Sequence, residues 1–325
     1  MRIAVVHGFG APGGEDEAVL DQVAALTRAG HEVRLVSAHG RGRGPLAALR
    51  AFGPDVVHVH NLFPAYGRAW VADWTGPLVA TLRHGPHRGS RLAALQLPWA
   101  TGRGGPRQDP LLRRADRLVV LSEAGRDACA RAGLPRERLD VVPDFVPTVA
   151  APDTASDGGW VCVGRLAPDD GTLELLRRWP AGERLDVVGT GPLEARCRAA
   201  APASVRMRGA AGRGALRRAL PGYRGIVLPG RGPRRAVPLV YAEALAAGLP
   251  VLAFEGAGES AVPRAVRSEG TGTVTTLDAH LPAALDVAAK VFPTLREHCR
   301  TVYAKHYGEP TWLDRTERVY ATLRP

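Results

Sequence analysis

The chain has 325 residues, which is too long for one ordinary hydrophobic core and points to two domains. Apolar residues make up 45% and charged residues 23%, so a sizeable core is available and a disordered chain is excluded. The net charge of +11 favours anionic ligands, and among the 43 basic residues only Lys290 and Lys305 are lysines, neither of them in a P-loop motif.

From the N-terminus, short apolar runs alternate with helical patterns. Strands are predicted at 2–7, 32–37, 55–59, 78–82, 117–121 and 140–142, with a helix over 18–29 that Gly30 caps. Strand–helix–strand alternation implies a parallel sheet with helices on both faces. Residues 147–159 are Pro, Ala, Ser, Asp and Gly in composition and read as a linker. A second series of strands follows at 160–164, 185–188, 205–207, 225–228, 251–254 and 272–275. From about 294 the tail reads as helix, broken near Gly308-Glu309-Pro310. The expected fold is α/β: two Rossmann-like parallel-sheet domains facing across a cleft. One spans 1–150 and is completed by about 308–325; the other spans 157–307.

The apolar run of the first strand is shorter than the roughly 7–15 residues of a secretory signal, and no run approaches the roughly 20 of a membrane span. Cys129, Cys162, Cys197 and Cys299 lie far apart without a CxxC, so neither a zinc site nor a redox pair is expected. The expected location is the cytoplasm, with no stable membrane insertion. Arginine bias with abundant Ala and Gly suggests GC-rich coding of the actinobacterial kind.

Several constellations carry chemistry. Gly8-Phe9-Gly10-Ala11-Pro12-Gly13 matches GxGxxG, and Gly13 and Gly14 let backbone N–H groups approach an anion at a helix N-terminus. A dinucleotide site wants an acidic residue after the second strand, where Ser37-Ala38-His39 offers none. Arg41 and Arg43 could meet a 2′-phosphate, which leaves an NADP-binding oxidoreductase as a remote alternative. His58 and His60, two apart on a strand, face the same side; with no third ligand nearby they read as packing or a polar rim rather than a metal site. His60 and Asn61 fall at the carboxyl end of that strand, near the cleft. Arg165, just past a strand and before a helix, suits a phosphate. Gly189-Thr190-Gly191-Pro192-Leu193 forms a tight turn whose backbone can approach a base or phosphate.

The segment from Pro238 to Val251 is the strongest. Pro238 is expected at the first helical position, Gly248 ends the helix, and Pro250 prevents continuation. The first amides, at Leu239 and Val240, would point at an anion. Glu243 is the only carboxylate on this apolar stretch and needs donors if buried. A ribose cis-diol supplies two; a neighbouring arginine or backbone is the alternative.

Taken in order, these motifs resemble the retaining GT-B glycosyltransferases of family four. Gly13-Gly14-Glu15-Asp16 and Ala29-Gly30-His31-Glu32-Val33 are similar to the GGE loop and GHEV strand entry. Residues 54–64 are very similar to PDVVHVHNLFP, and Val142-Pro143-Asp144-Phe145-Val146 resembles VPNFV. Gly164-Arg165-Leu166, the turn at 188–193 and the segment at 238–251 follow at the expected spacing. The resemblance implies a metal-independent transferase without cofactor, using a GDP- or UDP-linked sugar. It gives Gly13, Gly14 and Arg165 to the diphosphate, together with the amides of Leu239 and Val240. It gives Glu243 to the ribose and the Gly189–Gly191 turn to the nucleotide. His60, Asn61, Arg83 and His84 fall on the acceptor side, and no residue is assigned as catalytic.

Three departures stand out. Arg235 stands eight residues before Glu243, where the motif has a first glutamate. Asp170 stands where the motif has a lysine. Thr81-Leu82 is followed directly by Arg83-His84-Gly85-Pro86 instead of HNYR and a long loop. The two reversed charges are expected to be coupled, Arg235 serving the diphosphate or pairing with Asp170. The reading is transfer with retention to a small-molecule acceptor, such as a thiol, in specialised (antibiotic) metabolism. An inactive scaffold binding a nucleotide or a protein partner is the alternative. Nucleic acid is not expected, since aromatics are only 6% and no reader motif occurs; the oligomeric state is left open.

Overall fold

Runs of Val, Ile and Leu without polar alternation mark strands covered on both faces. The computed structural model describes residues 1–8, 14–37, 44–62, 67–83, 109–148, 158–168, 170–230, 237–256 and 260–323. The chain divides into one unit of Met1–Phe145 with Glu309–Pro325, and another of Val146–Gly308.

In the first unit, β1 (Arg2–His7), β2 (Glu32–Ser37), β3 (Val56–Asn61), β4 (Leu78–Leu82), β5 (Arg117–Val120) and β6 (Leu139–Val141) form one parallel sheet. Its order is β2-β1-β3-β4-β5-β6. The helices are α1 (Gly14–Arg28), α2 (Leu46–Phe52), α3 (Pro110–Arg114) and α4 (Glu123–Arg131). Gly30 leaves α1 at φ 86°, where only glycine is unstrained. Asp109 caps α3 by accepting from the amides of Leu111 and Leu112, and Ser122 caps α4 by accepting from Gly125 at 3.0 Å. β3 starts one residue later than expected and runs to Asn61. Asp55 is held out of the strand because its carboxylate accepts the Arg2 amide at 2.7 Å.

In the second unit, β7 (Trp160–Val163), β8 (Leu185–Val188), β9 (Val205–Gly209), β10 (Gly225–Leu228), β11 (Val251–Glu255) and β12 (Gly272–Thr276) form a parallel sheet in the order β12-β11-β10-β7-β8-β9. Its helices are α5 (Thr172–Arg178), α6 (Glu194–Ala200), α7 (Arg213–Ala219), α8 (Leu239–Ala246), α9 (Ala261–Glu269) and α10 (Leu281–His306). α10 begins well before 294, and Pro293 lies inside it. An internal proline costs about 3 kcal/mol. Burial of Leu281, Leu285 and Phe292 on one helical face, at about 1.5–3 kcal/mol each, outweighs that cost. Phe292 packs edge-on against Trp160 with ring centroids 5.6 Å apart.

The last helix, α11 (Glu309–Ala321), belongs to the first unit. Trp312, Val319 and Tyr320 fill its core, with the Trp312 and Phe145 rings 5.0 Å apart. Arg28 pairs with Glu309 at 2.7 Å and His31 with Glu317 at 2.8 Å. Among the described residues no helix is long and apolar enough to cross a membrane, and the four cysteines are buried and form no disulfide. Trp312→Ala is expected to destabilise the first unit by about 3–5 kcal/mol, read as a lower urea midpoint for the transition that reports that unit.

Candidate functional site

In the second sheet the strand order reverses between β7 and β10, and open parallel sheets take ligands beyond the carboxyl ends of such strands. The loop after β7 carries Arg165, whose side chain is 61% exposed and whose Nε lies 3.8 Å from the Asp170 carboxylate. Asp170 therefore has Arg165 as a neighbour. Its expected partner Arg235, like Gly13 and His84, lies outside the described residues.

The loop after β8 is bound to the loop after β7 through backbone. Gly164 donates to Val188 O at 3.1 Å, Leu166 to Thr190 O at 2.9 Å, and Leu193 to Leu166 O at 2.9 Å. A Cβ at Gly189 would sit 1.8 Å from Gly164 O, and one at Gly191 would sit 2.4 Å from Leu166 O. The open side of each glycine is thus filled by the neighbouring loop's backbone. Their contribution is to fix the loop that presents Arg165.

Pro238 is the N-cap of α8, with extended ψ of 149°, rather than its first helical residue. The helix starts at Leu239, and its first amides, at Leu239 and Val240, precede the intrahelical ladder. Tyr241, fully buried, donates to Glu269 at 2.8 Å and pins α8 to the end of α9. Glu243, two residues on, is buried, and its Oε1 accepts from Arg213 Nε at 2.9 Å and Arg217 Nε at 3.0 Å. Arg213 and Arg217 are four apart on α7 and so share a face. A shallow depression opens beside this cluster, lined by Val146, Pro147, Pro221, Ala246, Arg217 and Glu243. The sequence allows an arginine as the alternative partner of Glu243 without singling one out. The only signal was the i, i+4 spacing on a helix, which many other arginine pairs would match.

A second cluster lies at the carboxyl ends of β1, β3 and β4 in the first sheet, where the strand order also reverses. His58 and His60 do share one side of β3, and their rings stack at 4.2 Å. His58 Nδ1 is hydrogen-bonded with the Tyr320 hydroxyl at 2.7 Å and Nε2 with Thr81 Oγ1 at 2.8 Å. His7, fully buried, is 2.7 Å from the Asp16 carboxylate. Arg83 pairs with Asp144, which also accepts from Gln22 at 2.7 Å. Asn61 ends β3; its side chain lies outside the described residues, and Gly14 opens α1. Burial, reinforced by the charge of Arg83, pushes the His58 imidazole down to about 3. Burial first, then the charges of His58, Arg83 and His7, lower His60 well below its ordinary value. Both rings are neutral at pH 7 and serve as hydrogen-bonding groups. Among the described residues no group of three His, Cys, Asp or Glu side chains could hold a metal ion.

Residues 43–149 match the family model described as Glycosyltransferase Family 4, and residues 158–291 match that described as Glycosyl transferases group 1. The chain carries two glycosyltransferase-family domains. Solved structures with the GT-B fold cover nearly all of it. Anabaena Alr3699/HepE, determined in complex with UDP, is similar over 99% of this chain and 100% of its own, at 15% identity and a TM-score of 0.70. A glycosyltransferase from Rickettsia africae gives 13% identity, 99% and 98% coverage and a TM-score of 0.74. AviGT4, a glycosyltransferase involved in avilamycin A biosynthesis, gives 19% identity, 99% and 97% coverage and 0.70. No curated protein sequence matches at a significant level. The chain thus has a GT-B fold of two six-stranded parallel sheets.

Two outcomes follow for the stability of this fold. An unfolded histidine titrates near 6.5, so below that pH the unfolded chain binds protons that folded His58 and His60 refuse. Stability therefore falls as pH falls from about 6.5, by up to about 1.4 kcal/mol per unit per histidine, until the folded values are reached. Urea titrations at pH 7 and pH 5 should show this slope, and His58→Gln should reduce it. Gly189→Ala, forced to φ 144° with its Cβ against a carbonyl, should cost about 3 kcal/mol in the same assay.

Proposed function

We propose that the chain transfers a sugar, with retention and without a metal, from a nucleotide diphosphate to a small-molecule acceptor. The observation that carries this reading is the tandem of glycosyltransferase family matches, one for each sheet-bearing part of the chain. The second unit would hold the donor. Arg165 and the amides of Leu239 and Val240 supply positive charge for the diphosphate, Gly13, Gly14 and Arg235 add to it, and the Gly189–Gly191 turn borders the nucleotide. Glu243 would take the ribose hydroxyls in exchange for part of its arginine contacts. Positive charge and amides directed at the departing diphosphate stabilise the charge that develops as the glycosidic bond breaks, and retention relies on positioning more than on a strong base. The first unit would hold the acceptor near His60, Asn61, Arg83 and His84.

The UDP and UDP-glucose complexes of HepE make uridine donors the first to test, ahead of GDP-linked ones. The avilamycin role of AviGT4 supports specialised metabolism as the setting. A thiol acceptor suits a site whose imidazoles burial makes weak bases, because a thiol ionises with less assistance than an alcohol.

A second reading, an inactive nucleotide- or protein-binding scaffold, is favoured by the two arginines that already satisfy Glu243 and by Asp170 in place of a lysine. Calorimetric titration with UDP, GDP, ADP and dTDP separates the two. One nucleotide is expected to bind saturably. Glu243→Ala should weaken it about ten- to a hundred-fold, as expected for loss of hydrogen bonds to a charged acceptor. No binding of any nucleotide by the folded protein would overturn the donor site and leave the scaffold.

A further inference from the structure

Arg83 leaves β4 directly, with its side chain only 4% exposed. Its Nη1 donates to one oxygen of Asp144, whose other oxygen accepts from Gln22. The opposite edge of the guanidinium, Nε with Nη2, is buried and meets no hydrogen-bond partner among the described residues. Those two N–H groups point the same way and form the fork that receives two oxygens of one oxyanion. Buried polar groups are nearly always paired, so an entire unpaired fork on a buried cation calls for a ligand. His60 Nδ1, within reach of the Arg83 charge, is also buried and unpartnered. Among the described residues, two carboxylates of this region are engaged: Asp144 by Arg83 and Gln22, and Asp16 by His7. The place is the carboxyl edge of a parallel sheet beside its order reversal.

We propose that the Nε/Nη2 fork of Arg83, with His60 beside it, is an oxyanion-binding subsite that holds a carboxylate or phosphate group of the acceptor. Assigning the anion to an acceptor rests on the glycosyltransferase reading; the anion site itself does not. Asp144 holds the guanidinium in place from behind, and Gln22 holds Asp144. An acceptor anchored this way would be positioned by its charged end, with its nucleophile free to face the donor. Neutral analogues of the same acceptor, such as an amide or ester, would lose the anchor.

The test is calorimetric titration of the full chain with inorganic phosphate and, separately, with acetate. Saturable binding of one of them is expected, and which one binds tells a phosphate group from a carboxylate. Arg83→Lys keeps the charge but loses the fork, and should weaken that binding at least about ten-fold while leaving UDP affinity unchanged. No saturable binding of either anion by the wild type overturns the proposal. So does binding that Arg83→Lys leaves intact, or that UDP displaces, since that anion would sit on the donor diphosphate site. If Arg83→Lys melts far below the wild type, a wild-type crystal grown with the binding anion decides the matter. Two anion oxygens on Nε and Nη2 support the proposal, and a water there overturns it. Anion binding without nucleotide binding would overturn the donor reading and leave the subsite standing; UDP binding without anion binding does the reverse.

Discussion

A parallel strand that is paired on both edges and covered on both faces has one place left for a polar side chain, which is its end. The two sheets obey this closely. Ile3, Val5 and Val6 in β1, Val79 and Ala80 in β4, and Ile226 and Val227 in β10 are fully or almost fully buried. Chemistry is therefore displaced to the carboxyl ends, and it is there that His7, His60, Arg83 and Arg165 are found. The apolar strands supply the rigidity that holds these groups in place, and the groups themselves are few because little room remains for them.

Each sheet end manages buried charge in its own way. In the first unit a cation, Arg83, is half satisfied by Asp144, and its charge adds to the burial that keeps two imidazoles from protonating. In the second an anion, Glu243, is clasped by two arginines of one helix. Neither arrangement would survive loss of one member at little cost, because an ion left alone in a buried site forfeits its hydration without replacement. Two of the acids that separate this chain from the motifs it resembles have an arginine beside them. Asp170 sits by Arg165, and Asp144, where the motif has asparagine, sits by Arg83.

The sequence made legible what depends on near neighbours. Short, mainly apolar runs mark β1, β3 and β4, Gly30 marks the end of α1, and the spacing of two between His58 and His60 predicts the shared side on which they stack. It concealed what depends on distant pairing. Arg83 and Asp144 are far apart along the chain, and Arg213 and Arg217 are indistinguishable by type from the other arginines until Glu243 is seen beside them. Pro293 hid the first half of α10, because local propensity argues for a break that tertiary burial overrides. The glycines of the β8 loop carry a signal with two sources, since close backbone approach to a ligand and close approach to another loop demand the same residue.

The return of α11 to the first unit has a consequence for synthesis. Residues of the second unit are contiguous from Val146 to Gly308, whereas the core of the first needs Trp312 and Tyr320. A nascent chain emerging from the ribosome can complete the later-encoded unit while the earlier one still lacks its closing helix. Until Glu309 and its successors emerge, the apolar flank formed by Ile3, Val5, Val19 and Phe145 stays uncovered and exposed to chaperones. The order of maturation is thereby the reverse of the order in which the two units begin.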